Sequence, residues 1–125
     1  MTLSRVVMRL ARNPGTEFAD GDDHRGYSLV APLRADGKLD VDAFQAHRAD
    51  CSVRRFAPDE DAVLGVLKRR GQTWFFDYDA AGDADDEPVH RLGEHLFKVG
   101  EYVSVADEDG RLLAYKVTEV SPLQS

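Results

Sequence analysis

The stretch that decides the fold runs from Glu101 to Val120 and reads EYVSVA (101–106), DEDG (107–110) and RLLAYKVTEV (111–120). Two runs rich in β-branched and aromatic residues flank a turn that ends in glycine, which is the pattern of a β-hairpin. The chain is therefore predicted to have an antiparallel β architecture.

The loop length of this hairpin decides which side chains share a face. A three-residue loop over 108–110, closed by its glycine in the left-handed region, sets Val105 opposite Leu113 and Val103 opposite Tyr115. A two-residue loop would shift the register by one residue and turn the valines outward. Burial of apolar side chains therefore predicts the three-residue loop.

Length and composition indicate one domain over residues 1–125, long enough to bury a core without disulfides or structural metal. Cys51 is the only cysteine, no run of about 18 apolar residues could span a bilayer, and the N-terminus lacks the features of a secretory signal. These features predict a soluble, cytoplasmic protein, and the excess of arginine over lysine is typical of GC-rich bacteria. A net charge of −7 disfavours a generic nucleic-acid-binding protein.

Residues 4–11 can be read as a basic amphipathic helix or as a strand. Adjacent valines, the missing N-cap and the Asn-Pro-Gly stop at 13–15 favour the strand, with Arg5 and Arg9 outward. The inward side chains would then be Val6, Met8 and Leu10. Residues 16–25 are predicted to be a surface loop.

Further strands are predicted over 27–33, 52–56, 62–69 and 72–78, with an irregular strand or turn over 89–97. Asp40 is suited to cap one short helix over 41–49. This pattern predicts a mainly β fold, a small antiparallel β-barrel or strongly bent sheet of six to seven strands with one short α-helix. An α+β half-barrel with the helix at one end is the alternative.

Aromatic residues alternate along the strand over 72–78. Trp74, Phe76 and Tyr78 share one face, and Asp77 and Asp79 share the other. Because rings at period two usually fill the interior of small β domains, we expect the aromatic face in the core and the aspartate face in water.

Acidic segments at 20–24 and 83–87 contain potential cation ligands, and whether they bind one is left open. The turn at 107–110 lacks the glycine and glutamate spacing of a calcium loop, and Cys51 has no cysteine partner for zinc. No metal or cofactor is therefore expected.

Nucleophilic catalysis would need a nucleophile beside a base, such as Cys51 and His47. No serine-elbow or phosphate-loop motif occurs in the sequence. Cys51 is therefore expected to be a small buried residue.

The candidate binding surface consists of His95, Arg54, Arg55, Arg9 and Arg5. Arginines can pair with phosphates or carboxylates. His95 is flanked by Glu94 and Glu101 and precedes the clearest strand, so it could donate a hydrogen bond to a ligand.

Three segments, 27–33, 54–56 and 93–105, resemble an uncharacterised family of small bacterial β-rich proteins, and this resemblance implies no activity, cofactor or residue role. The segment that opens at Gly100 (GEYVSV) also resembles strands of SH3-like and PUA-like barrels, whose families often bind RNA or peptides. Fold alone does not assign function.

The leading hypothesis is a non-enzymatic interaction module that binds a protein partner or small ligand through end loops or an edge strand. An RNA-binding SH3-like or PUA-like barrel using surface arginines is the alternative, and a small enzyme is the third hypothesis. Partner identity and oligomeric state are left open by the sequence.

Overall fold

The computed structural model describes residues 3–58, 60–70, 73–77, 87–90, 96–106 and 111–122. The described strands form a closed antiparallel barrel, accompanied by one short α-helix. The predicted fold class, a mainly β antiparallel barrel with one short helix, is confirmed, and the described strands number eight where six to seven were predicted.

Eight strands run in chain order around the barrel: β1 (Leu3–Leu10), β2 (Asp22–Pro32), β3 (Ser52–Ala57), β4 (Glu60–Arg70), β5 (Thr73–Asp77), β6 (Glu87–His90), β7 (Tyr102–Ala106) and β8 (Leu112–Pro122). Each pairs with the next, and β1 pairs with β8 to close the sheet. Each described strand therefore has a neighbour on both sides, an arrangement that occupies the edges at which another chain could add a strand.

The hairpin formed by β7 and β8 has the predicted register. Val105 lies opposite Leu113 and Val103 lies opposite Tyr115, and all four side chains are buried. The turn residues 107–110 lie outside the described residues. The apolar faces of the two strands were therefore sufficient to identify the pairing.

The N-terminal segment is a strand, and the helical interpretation of residues 4–11 is wrong. Val6, Met8 and Leu10 are buried on the inner side of β1, and Arg5 and Arg9 lie on the outer side. Strand β2 begins at Asp22, so the predicted loop over 16–25 ends earlier than expected.

The helix α1 (Val41–Ala46) begins where Asp40 was predicted to cap it. The carboxylate of Asp40 accepts a hydrogen bond from the backbone N–H of Ala43 at 3.1 Å. The helix stops before the predicted residue 49 because a single 3₁₀ turn follows over Arg48–Asp50. Among the described residues, no helix has the length and apolar character needed to cross a membrane.

The barrel interior is filled by apolar and aromatic side chains. Trp74 and Phe76 are buried as predicted, and Phe44 of α1 packs edge-on against Trp74 with ring centroids 4.8 Å apart. Tyr78 and Asp79 lie outside the described residues. Trp74 and Phe76 therefore serve the core and are not available to stack on bases.

Asp77 corrects one expectation, because this carboxylate does not face water. Its residue is only 2% exposed, and its side chain forms an ion pair with Lys68 of β4. Alternation does place Asp77 on the face opposite Trp74 and Phe76. The period-two pattern along β5 does not contain the Lys68 side chain of the neighbouring strand, with which Asp77 pairs.

Candidate binding groove

Three of the five residues predicted as a binding surface lie around one groove on the outer face of β1 to β4. Arg5 and Arg9 lie on β1 and Arg54 lies on β3, and all three line this groove. The remaining two residues do not join them: Arg55 lies elsewhere on β3, and His95 lies outside the described residues.

Arg55 is separated from its neighbour Arg54 by the alternation of β3. It lies directly opposite Tyr27, whose ring is buried in the core, so Arg55 points to the inner side of the sheet. Arg54 lies opposite Ser28 and points outward. The adjacent arginines of the sequence therefore serve different faces.

Strand β2 lies between the strands that carry the arginines, so Arg5 and Arg9 lie at similar distances from Arg54. Val30 of β2 lies opposite Arg5, and Ser28 lies between Val7 on one side and Arg54 on the other. Strand spacing and residue rise place the Cα atoms of Arg5 and Arg54 roughly 12 Å apart, and a similar distance separates Arg9 from Arg54. The three arginines thus surround Ser28.

Arg9 crosses β2 to reach Phe56 of β3. The two residues lie on either side of Gly26, which has no side chain to separate them. The guanidinium carbon of Arg9 lies 5.8 Å from the centroid of the Phe56 ring, and the Arg9 side chain donates a hydrogen bond to the backbone carbonyl of Asp23 at 3.2 Å. Arg9 is therefore held in place.

Arg5 and Arg54 have no such contacts. Within the part of the chain that the structure describes, neither forms an ion pair or a side-chain hydrogen bond. Glu119 is the one carboxylate among the described groove residues. The groove thus carries local positive charge on a chain whose net charge is −7.

The groove also has apolar walls. Val7 faces outward from β1 yet is only 7% exposed, because it forms the floor between neighbouring side chains. Leu64 of β4 lies at the rim and is 73% exposed. A ligand in this groove would contact both guanidinium groups and hydrocarbon surface.

The volume of the groove is about 840 Å³, within the range of ligand sites in proteins. Sequence reasoning did not single out several of its lining residues: Val7, Ser28, Val30, Phe56, Leu64 and Glu119. The alternation of β1 predicts that Val7 points outward, but the lining from β2, β4 and β8 depends on strand order.

Cys51 does not have the surroundings of a nucleophile. It is buried, and its Sγ contacts the backbone carbonyl of His47 at 3.4 Å and not the imidazole. Burial, with a smaller effect of nearby Asp50, raises the pKa of Cys51 to about 11. The exposed imidazole of His47 lies near Asp50 instead, with 3.8 Å between Nδ1 and Oδ2.

Over the described residues, no three His, Cys, Asp or Glu side chains are grouped so that they could hold a metal ion. This covers the acidic segment 20–24. The second acidic segment, 83–87, lies outside the described residues except for the backbone of Glu87.

Comparisons with protein-family models, with curated proteins and with solved structures found no match to this chain.

Proposed function

We propose that this protein is a non-enzymatic interaction module whose outer groove binds an acidic segment of a protein partner. The observation that carries the proposal is the meeting of Arg5, Arg9 and Arg54 in one groove on an acidic chain. None of these guanidinium groups has an anionic partner among the described residues, so an incoming carboxylate would not have to displace one.

Carboxylates fit this groove because a guanidinium offers paired N–H donors in the geometry that a carboxylate accepts. Exposed Leu64 and the floor at Val7 add hydrocarbon contact beside the charges. A segment that combines acidic and apolar side chains matches both parts of the lining, whereas a small inorganic anion would use only the arginines. The groove is proposed in place of the edge strand that the sequence suggested as a binding site. The first and last strands, β1 and β8, pair with each other and so do not offer a free edge.

RNA binding is the second candidate, favoured by the presence of Phe56 beside the arginines. The case is weaker than that for an acidic peptide for two reasons. Phe56 is already covered by Arg9, and the rings of Trp74 and Phe76 are buried and cannot stack on bases. The net charge of −7 also opposes phosphate binding.

Catalysis has less support than either form of binding. Its best nucleophile, Cys51, is buried with a raised pKa, and neither described hollow on the barrel surface includes it.

The proposal places the module in the bacterial cytoplasm, in keeping with the arginine-rich composition and the single free cysteine.

The test is a selection of a random 12-residue peptide library on the immobilised protein, followed by fluorescence anisotropy with the selected peptides. We expect the selected peptides to combine Asp or Glu with apolar residues. The double variant Arg5→Gln/Arg54→Gln should bind them at least about tenfold more weakly, because each charge-assisted hydrogen bond contributes roughly 1.5–3 kcal/mol.

The matched control is Arg34→Gln, which removes an exposed arginine that pairs with Asp36 and does not line the groove. It should bind as tightly as the parent protein. A library that yields no binder, or peptides that bind the double variant equally well, would contradict the proposal. Tight binding of a single-stranded oligonucleotide that needs Arg5 and Arg54 and weakens steeply with salt would instead select the RNA candidate.

A further inference from the structure

A second hollow lies on the opposite side of Arg9 from the groove. Its volume is about 500 Å³, and its lining includes Arg9, Arg12, Lys116 and Tyr102. Arg9 is shared by the two hollows. The two surfaces therefore meet at this one side chain.

The strand register places the two hollows along one line across the barrel. Tyr102 of β7 lies opposite Lys116 of β8, which lies opposite Arg9 of β1. The same line continues from Arg9 through Gly26 to Phe56. Four inter-strand steps separate Tyr102 from Phe56, a path of about 19 Å or more around the outside of the sheet.

The second hollow repeats the chemistry of the groove. Over the described ranges, Arg12 and Lys116 form no ion pair or side-chain hydrogen bond, so both cations are free to meet a carboxylate. Tyr102 adds a large ring that is 55% exposed. The carboxylates of Asp20 and Asp23 also line the hollow. They offset two of the three positive charges of Arg9, Arg12 and Lys116, so the net charge of the hollow is +1.

We propose that the two hollows form one continuous track for a single extended acidic peptide, an inference that rests on the proposed function of the groove. One part of the peptide occupies the groove beside Arg5 and Arg54. The part that follows crosses Arg9 and places a carboxylate between Arg12 and Lys116 and an apolar side chain against Tyr102. At roughly 3.3 Å per residue, the path from Phe56 to Tyr102 needs at least about six extended residues.

The occupant is a peptide and not a second copy of this chain, because charge complementarity is the feature that both hollows share. The track collects five cations, Arg5, Arg9, Arg12, Arg54 and Lys116, against three carboxylates, Asp20, Asp23 and Glu119. Another copy would also have a net charge of −7, so the surfaces of the two copies outside the track would repel each other.

The test compares full-length and shortened forms of the peptides selected from the 12-residue library. Each peptide is truncated from either end to the shortest form that still needs Arg5 and Arg54. Affinities for both forms are measured by fluorescence anisotropy with the parent protein, with Arg12→Gln/Lys116→Gln and with Tyr102→Ala. The single variant Lys98→Gln, at an exposed lysine that lines neither hollow, is the control.

We expect the full-length peptide to bind Arg12→Gln/Lys116→Gln at least about fivefold more weakly than the parent, with a smaller loss for Tyr102→Ala. The shortened peptide should bind these variants and the parent equally. Arg5→Gln/Arg54→Gln should weaken both peptides, because both occupy the groove.

Equal binding of the full-length peptide to the parent and to Arg12→Gln/Lys116→Gln would overturn the continuous track and leave the groove proposal standing. Full retention of binding by Arg5→Gln/Arg54→Gln would instead overturn the groove proposal itself. Sedimentation velocity adds one more outcome: a fall in mass in Arg12→Gln/Lys116→Gln, without a change in peptide affinity, would assign the second hollow to a second copy and overturn the track.

Discussion

Gly26 lies on β2 where there is no room for a side chain beside the backbone of β1. A Cβ atom at this position would lie 1.9 Å from the carbonyl oxygen of Met8, well inside van der Waals contact. The pairing of the two strands shifts immediately afterwards, between Arg9 and Leu10. The same absence of a side chain lets Arg9 reach Phe56, so one residue serves both the fold and the groove.

Replacing Gly26 by alanine should therefore destabilise the protein by about 3 kcal/mol, since the new methyl group meets backbone and not a flexible side chain. Urea denaturation measures this loss directly. Gly15→Ala is the control: Gly15 has a φ of 84° but nothing within 4 Å of an added Cβ, so only backbone strain of roughly 1 kcal/mol is expected. Equal losses in the two variants would show that crowding at Gly26 is not the cause.

Asn13 shows how one side chain can join segments that are far apart in the sequence. Its side-chain amide donates to the carbonyl groups of Ala11 and Ala114, and its side-chain oxygen accepts from the backbone N–H of Ala114 at 2.8 Å. These three hydrogen bonds satisfy a residue that is only 8% exposed. In the sequence, Asn13 looks like an ordinary turn residue before proline.

At the scale of elements, the loop between β1 and β2 is attached to the residue that precedes β8. Both oxygens of Glu17 accept from the guanidinium of Arg111, at 2.8 and 2.9 Å. This bidentate pair, assisted by the backbone of Glu17, lowers the pKa of Glu17 from its ordinary value of 4.5 to about 2.

The lowered pKa gives the loop contact a defined pH dependence. Because the folded-state pKa is depressed, the stabilisation is present above the unfolded-state value of 4.5 and is lost as pH falls towards 2. Glu17→Gln should thus be less stable than the parent near pH 6, and the gap should close by about pH 2. Since the pair is exposed, the difference in stability between the parent and Glu17→Gln is small. Urea midpoints measured across this pH range give its size. A difference that does not change with pH would contradict the stabilising role of the Glu17 carboxylate.

The pair of Lys68 and Asp77 belongs to the same scale, because it depends on the pairing of β4 with β5. Alternation along β5 identifies the face of Asp77, but not what covers that face. The ion pair across the two strands supplies a counter-charge for the buried carboxylate. A pattern read along one strand contains no information about a charge on its neighbour.

At the scale of the whole molecule, one aromatic cluster connects strands from opposite parts of the chain. The Tyr27 ring lies 5.0 Å from those of both Phe76 and Tyr115, so β2, β5 and β8 share contacts inside the barrel. Closure through β1 and β8 makes each strand depend on the rest. Unfolding should consequently be cooperative.

Trp74 reports on this cooperativity because it is the only tryptophan and is 2% exposed. We expect its emission to be blue-shifted and poorly quenched by acrylamide in the native protein. Its unfolding midpoint in urea should coincide with that of the far-ultraviolet circular dichroism. Transitions that separate by more than experimental error would show that part of the barrel unfolds independently.

The sequence determined the features that depend on near neighbours. Alternation identified the inner and outer faces of β1, the hairpin pattern identified the register of β7 on β8, and Asp40 was recognised as the helix cap. These features follow from side-chain periodicity and turn chemistry, which act over a few residues. For the same reason, Arg5 and Arg9 could be placed on the outer surface in advance.

Only the tertiary structure decided which surfaces meet. Arg54 joins Arg5 and Arg9 because β2 lies between β1 and β3, and Arg55 is excluded because it points to the side of buried Tyr27. Strand order and the closure of β1 on β8 arise from burying all inner faces together, a property of the complete chain. The groove depends on the order of β1 to β4, so no single segment of the sequence contains it.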